Sequence, residues 1–294
     1  MFSDTITLFA RSLYFAPFTY YLSFLAACHY LHLDYIGKIT FGKKHYIILT
    51  ALFMYFMLSH SFEHVTSVGI ASIAPFILYG VLKQNWMETI RRIFTAGISF
   101  FLCICFCMVL VLAQHTIAKK TGFQGAIDYV SMKFNKRTTG KEITDEQIAN
   151  ARNASQAATL RSKQRAQKIK YSDVLGKFLN DGATFIHEGN HPQYLIRYKS
   201  YLYIFIIASV LSFLISFFKK DKAEKWKTYA LITTCWFALL GPLSWWIIFK
   251  AHSWHHGHLV IFLWNVPFII FGFMVLGHAI EQIIGLGKQK LNIA

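Results

Sequence analysis

Seven stretches of this chain stay apolar for nearly long enough, or long enough, to cross a hydrocarbon core, which takes about 20 residues as a helix. They are 12–33, 46–60, 67–83, 93–117, 200–218, 228–249 and 259–285. The second is short, and the third contains Gly69. A long polar segment, 118–199, separates the fourth from the fifth. This pattern predicts an all-α polytopic integral membrane protein with about seven transmembrane helices. Helices one to four fall in 1–117, a loop subdomain in 118–199, and helices five to seven in 200–294.

Composition supports that reading. Hydrophobic residues make up 55% of the 294 residues and charged residues only 15%, against about 25% charged in a soluble domain. The first apolar run is too long for the core of a cleavable signal, and no small-residue cleavage site follows it. Cys28, Cys103, Cys105, Cys107 and Cys235 all lie in apolar runs, which suits small buried thiols rather than a metal face. The net charge of +16 points to membrane lipid rather than nucleic acid, because loops beside anionic headgroups collect lysine and arginine.

Charge also orients the chain. Loops 34–45, 84–92 and 219–227 and the C-terminal tail hold Lys38, Lys43, Lys44, Arg91, Arg92, Lys219, Lys220, Lys222, Lys225, Lys227, Lys288 and Lys290. The connection 61–66 has no Lys or Arg, and 251–258 has only Lys250 at its edge. The positive-inside rule then places a cytoplasmic-membrane protein with its N-terminus outside and its C-terminus in the cytoplasm. The 15 basic residues of 118–199 do not oppose this, since long loops translocate largely regardless of charge.

The outer loop reads as a basic helical subdomain. Gly125–Phe134 fits a short amphipathic helix. Thr144 with Gln147 is a capping box that opens a helix toward Lys170, with Asp145 and Glu146 first and Arg161, Lys163, Arg165, Lys168 and Lys170 last, the order the helix dipole favours. Ser172 caps a third helix over 173–180. Asn153-Ala-Ser155 is a glycosylation sequon, relevant only in a eukaryotic secretory pathway.

Candidate chemistry concentrates on the outer face. Residues 250–258 read Lys-Ala-His-Ser-Trp-His-His-Gly-His, and the same face carries His60, Glu63 and His64, then His187 and His191. Interfacial imidazole can bind metal, move protons or hold an anionic headgroup. The spacings His60/His64, His187/His191 and His252/His255/His256, with His258, resemble the histidine boxes of membrane di-iron desaturases and hydroxylases, which implies iron or another divalent metal. Those boxes face the cytoplasm, whereas charge places these outside. A third reading is a non-catalytic subunit or scaffold of an envelope complex, docking through the basic loop.

Ser244-Trp245, Lys250, His252, Ser253, His256, His258 and then Trp264 resemble a segment of bacterial polytopic membrane proteins that look like GT-C-type glycosyltransferases. The resemblance covers about twenty residues. It implies an enzyme that needs no cofactor and takes a sugar from a polyprenyl-phosphate-linked donor at the outer leaflet, during assembly of cell-envelope polysaccharide. Lys250, His252, Ser253, His60, His64 and Trp245 would bind substrate, and Glu63, His256 and His258 would be catalytic. Such enzymes usually carry an acidic catalytic residue in a first outer loop, and only Asp4 precedes the first helix here. Either a partner membrane subunit supplies that carboxylate, or Glu63 has taken its role, or the chain has no transferase activity of its own.

Overall fold

The computed structural model describes residues 17–59, 64–119, 122–138, 144–180, 182–188, 191–255 and 264–291. The architecture is all-α apart from one hairpin. Helices α1 (Pro17–Tyr35), α2 (Lys43–Ser59), α3 (Val65–Lys83) and α4 (Trp86–Lys119) precede the loop. The loop folds as α5 (Gly122–Arg137), α6 (Asp145–Ala149), α7 (Ala154–Lys168), α8 (Tyr171–Asn180) and the antiparallel strands β1 (Gly182–Glu188) and β2 (His191–Arg197). Then follow α9 (Tyr198–Phe218), α10 (Lys222–Ala238), α11 (Leu240–Ile248), α12 (Lys250–His255), a π turn (Asn265–Ile269) and α13 (Ile270–Leu291).

Among the described residues, five helical stretches are long and apolar enough to cross a membrane: Val65–Lys83, Trp86–Ile117, Tyr198–Phe218, Lys222–Ile248 and Pro267–Gly287. Their outer faces carry wide apolar surfaces, such as Phe94, Phe101 and Phe106 on α4 and Ile207, Val210 and Phe217 on α9. A soluble protein does not leave so much contiguous apolar area in water; hydrocarbon is its natural surround. The expected spans 12–33 and 46–60 correspond to α1 and α2. These are helices of 19 and 17 residues that pack into the bundle but are not among the five.

Helix α3 is the hub. Val68 and Phe76 belong to one core with α1, α2 and α4. Ala71, Ala74, Leu78 and Val81 belong to a second core with residues of α8, α9, α10, α11 and α13. Small and hydroxylated residues let its neighbours approach closely, as packing between helices in lipid requires. The Ser67 hydroxyl donates to the Gly241 carbonyl at 2.8 Å, and Ser244 donates to Thr66 at 3.0 Å. Gly272 has the same role on α13: a Cβ there would overlap the Phe205 ring of α9. Gly272→Ala is therefore expected to destabilise the bundle by about 1–3 kcal/mol, the usual range for overpacking. A thermal melt of the detergent-solubilised protein checks this, with Gly277→Ala, where a Cβ meets nothing, as the control.

Ser172, the expected cap of the third helix, lies inside α8, which begins at Tyr171, and the loop departs from expectation in two larger ways. The helix expected from Thr144 to Lys170 breaks after Ala149. Thr144 forms the expected capping box with Gln147, but Asn153 then caps a new helix by accepting from the Gln156 N–H at 2.8 Å. The second departure is the hairpin, in which Phe185 pairs with Tyr194 and Ile186 with Gln193. Two β-branched and aromatic runs around Gly189-Asn190 are a hairpin signature. His187 and His191 thus sit on two strands, opposite Pro192 and Glu188 respectively.

Candidate functional site

The two ends of α3 separate two polar regions. His64 precedes its first residue and Lys83 is its last. At 1.5 Å per residue its 19 residues span about 28 Å, close to the thickness of a hydrocarbon core. One region therefore surrounds His64 and the other Lys83.

At the His64 end, a Gly241-Pro242 pair interrupts the expected sixth span. α10 ends at Ala238 and α11 starts at Leu240, because proline has no N–H to continue the ladder. Leu239 between them keeps helical dihedrals (φ −61°, ψ −27°), and Trp245 of α11 is fully buried, with its ring 5.3 Å from His64. His64 is itself buried and lies 5.5 Å from the Tyr20 ring. Two expected substrate-binding residues from distant parts of the chain thus meet. Phe249 leaves helical geometry (φ −108°, ψ 42°), and α12 follows with Lys250, His252, Ser253 and His255. Ser253 is buried and its hydroxyl donates to the Lys250 carbonyl at 2.9 Å, so it stabilises its own helix turn. For His252 and His255 only the helical backbone is described, and for His187 and His191 only the strand backbone. His60, Glu63, His256 and His258 lie outside the described residues.

Helix α8 closes over this end. Its residues Val174 and Phe178 are buried, and Phe178 starts an aromatic column. Phe178 stacks on Trp246 at 5.0 Å, Trp246 lies 5.1 Å from Trp264, and Trp264 stacks on Tyr198 at 5.3 Å. The column joins α8, α11, α9 and the residue leading the π turn. Two lysines clasp the seam from opposite sides. Lys177 of α8 donates to the Trp254 carbonyl at 2.8 Å and stands 4.6 Å from the Trp254 ring centroid. Lys250 of α12 stands 4.9 Å from the Tyr171 ring centroid on α8. Cation–π contact of this kind contributes about 0.5–2 kcal/mol and leaves each ammonium with donors for an anion. Lys177 and α8 went unrecognised as part of the site. The spacing of Tyr171, Val174 and Phe178, which marks an amphipathic turn, was the available signal.

At the Lys83 end, Asp34 is the organising residue. Its carboxylate meets Lys83 and Arg92, each at 2.8 Å, and accepts the Phe41 N–H at 2.9 Å. Glu88 holds Arg91 and Arg92 at 2.8 and 2.7 Å. Burial raises the Asp34 carboxyl, but the hydrogen bonds from Lys83, Phe41 and Arg92 outweigh it and bring it down to about 2. Nearby, the buried His278 of α13 bonds Thr228 of α10 at 2.8 Å, with Gln282 at 2.9 Å. Its other ring nitrogen lies 3.4 Å from Glu281, which also faces Lys227 at 3.4 Å.

Among the described residues no group of three or more His, Cys, Asp or Glu side chains is placed to hold a metal, and the cysteines are free thiols. The described residues of the His64 end offer aromatic faces and ammonium groups, a chemistry suited to an anion attached to a ring or chain. Compared with family models, curated proteins and solved structures, the chain matches none of them.

Proposed function

We propose that this chain is a GT-C-like glycosyltransferase of the cytoplasmic membrane. It would take a sugar from a polyprenyl-phosphate-linked donor at the outer leaflet. In this reading the bundle spans the membrane seven times, the five long apolar helices being joined by α1 and α2. The N-terminus and the loop subdomain face outward, and the Lys83 end faces the cytoplasm.

The observation that carries the reading is the lysine seam. Lys177 and Lys250 converge on α8 and α12, each against an aromatic ring, beside the segment that holds the remaining histidines. When a glycosyl–phosphate bond breaks, the electron pair leaves on a phosphate oxygen, and cations aimed at that oxygen lower the barrier. Lys250, His252, His256 and His258 have this role. The acceptor hydroxyl oxygen bonds to the anomeric carbon, and its proton passes to Glu63 as general base. His60 and His64 flank that carboxylate. Trp245 places an aromatic wall behind His64, and Ser253 sets the turn that presents Lys250. A partner subunit that supplies a further carboxylate fits the same scheme.

The test is sugar transfer from a polyprenyl-phosphate donor by purified protein in lipid vesicles. His256→Ala is expected to lower the rate at least about a hundredfold, the scale of losing one group that stabilises developing charge, with an unchanged melting temperature. Wild-type turnover by that variant would exclude the assignment.

A further inference from the structure

Tyr79 is a wall shared by two cavities at the Lys83 end. The first, of about 210 Å³, lies between α3 and α4 against Leu31 of α1; Phe76 and Tyr79 form its apolar side and Lys83, Asn85, Glu88, Thr89 and Arg92 its polar side. The second, of about 420 Å³, lies among α1, α3, α10 and α13 and is walled largely by Leu78, Leu82, Leu231 and Met274. An apolar groove and a cationic cup divided by one tyrosine fit a molecule that is apolar at one end and anionic at the other.

We propose that these cavities together bind a phospholipid with a net-negative headgroup, an acyl chain lying in the groove and the phosphate in the cup. Three features support this. First, Lys83 ends α3 and Arg92 pairs with the same Asp34 carboxylate, about 28 Å from the other end of α3, the depth at which headgroup phosphates lie, and basic pockets between membrane helices hold anionic headgroups. Second, Asp34 and Glu88 position the cations without cancelling them. Lys83, Arg91 and Arg92 face these two carboxylates, which leaves one positive charge. Asn85 accepts the Glu88 N–H through its side-chain oxygen, so its amide NH₂ is a donor for a phosphate oxygen. Third, the groove opens laterally: its walls Tyr35 and Met274 are exposed on the outer surface of the bundle, where acyl chains are. At its rim Lys227 is matched by Glu281 at 3.4 Å, so the charge preference comes from the cup.

The sources of such chemistry are separable. Free phosphate would fill the cup alone, and a neutral lipid would use the groove alone. Native mass spectrometry of the delipidated full-length chain, titrated with phosphatidylglycerol, phosphatidylcholine or inorganic phosphate, distinguishes them. Phosphatidylglycerol is expected to bind about tenfold more tightly than phosphatidylcholine, the scale of one to two lysine–phosphate contacts. Excess inorganic phosphate should not displace it. Leu82→Trp, which fills the groove and leaves every ion pair in place, should weaken phosphatidylglycerol about tenfold; Lys83→Gln should bring it down to the phosphatidylcholine level. Equal binding of the two lipids, complete displacement by phosphate, or unchanged lipid binding in Leu82→Trp would overturn the proposal. Because Leu82→Trp spares the Asp34 pairs, that arm stands even where Lys83→Gln fails to fold.

Discussion

Asp34→Asn is expected to lower stability by about 3 kcal/mol, the low end of the range for breaking a buried ion pair from one side. The Asp34 side chain is 6% exposed, while Lys83 and Arg92 are 34% and 16% exposed. Lys83 can relax toward water, but Arg92 would be left half-paired, with only Glu88 opposite it. The asparagine keeps an oxygen for the Phe41 N–H, but its NH₂ faces the Lys83 and Arg92 donors, so their two hydrogen bonds are lost together with the charge. The same carboxylate makes stability depend on pH. Its folded value of about 2 lies below the ordinary 3.8, so its contribution is fully present above about pH 4. It is lost as pH falls from about 4 toward 2. The depression corresponds to about 2 kcal/mol. Melting curves of wild type and Asp34→Asn should therefore differ at neutral pH and converge near pH 2. Parallel curves across that window would contradict the role given to Asp34.

The second large effect lies in the aromatic column. Trp246 is 3% exposed and is held between Phe178 and Trp264. Trp246→Ala should cost about 3–5 kcal/mol, the usual range for emptying a buried aromatic site, and should detach α8 from α11. Trp246→Phe should behave differently. The indole N–H of Trp246 is buried without a hydrogen-bond partner among the described residues, and an orphaned donor costs about 1–3 kcal/mol. Removing it offsets much of the lost area, so Trp246→Phe should melt within about 1 kcal/mol of wild type. If both variants fell equally, the column would not be what anchors α8. Limited proteolysis between α7 and α8 reads the same event: rapid cleavage in Trp246→Ala, and wild-type resistance in Trp246→Phe.

Much of the bundle was legible because apolar runs and membrane helices obey the same length constraint. The runs 67–83 and 200–218 match α3 and α9 to within two residues at each end. Run 93–117 understated α4, which begins at Trp86 because Glu88, Arg91 and Arg92 pair with one another along the helix and carry it past the apolar stretch. Run 228–249 hid a break, for which Gly241-Pro242 was the mark. Asp34 could not be read as important from its own neighbourhood, since its partners Lys83 and Arg92 lie 49 and 58 residues away. The hairpin is not legible in the His187/His191 spacing; its signal lies in the β-branched and aromatic residues Thr184, Phe185, Ile186, Tyr194 and Ile196 on either side of Gly189-Asn190.

At the His64 end, the meeting of His64 with Trp245 joins two stretches that the histidine pattern had singled out separately. The participation of Lys177 was hidden, because a lysine in a polar loop ordinarily belongs to a solvated face. Its contact with Trp254 depends on how α8 folds back over α12, which no local pattern encodes.

The most direct measurement is photocrosslinking of a diazirine-bearing polyprenyl phosphate to the purified full-length chain in lipid nanodiscs, followed by peptide mapping. Labels are expected on α8 and on the segment from Trp245 to Trp264, suppressed by Lys250→Ala and Lys177→Ala together. Labelling confined to the Lys83 end, or labelling of the His64 end that both lysines can lose without effect, would contradict the proposed function.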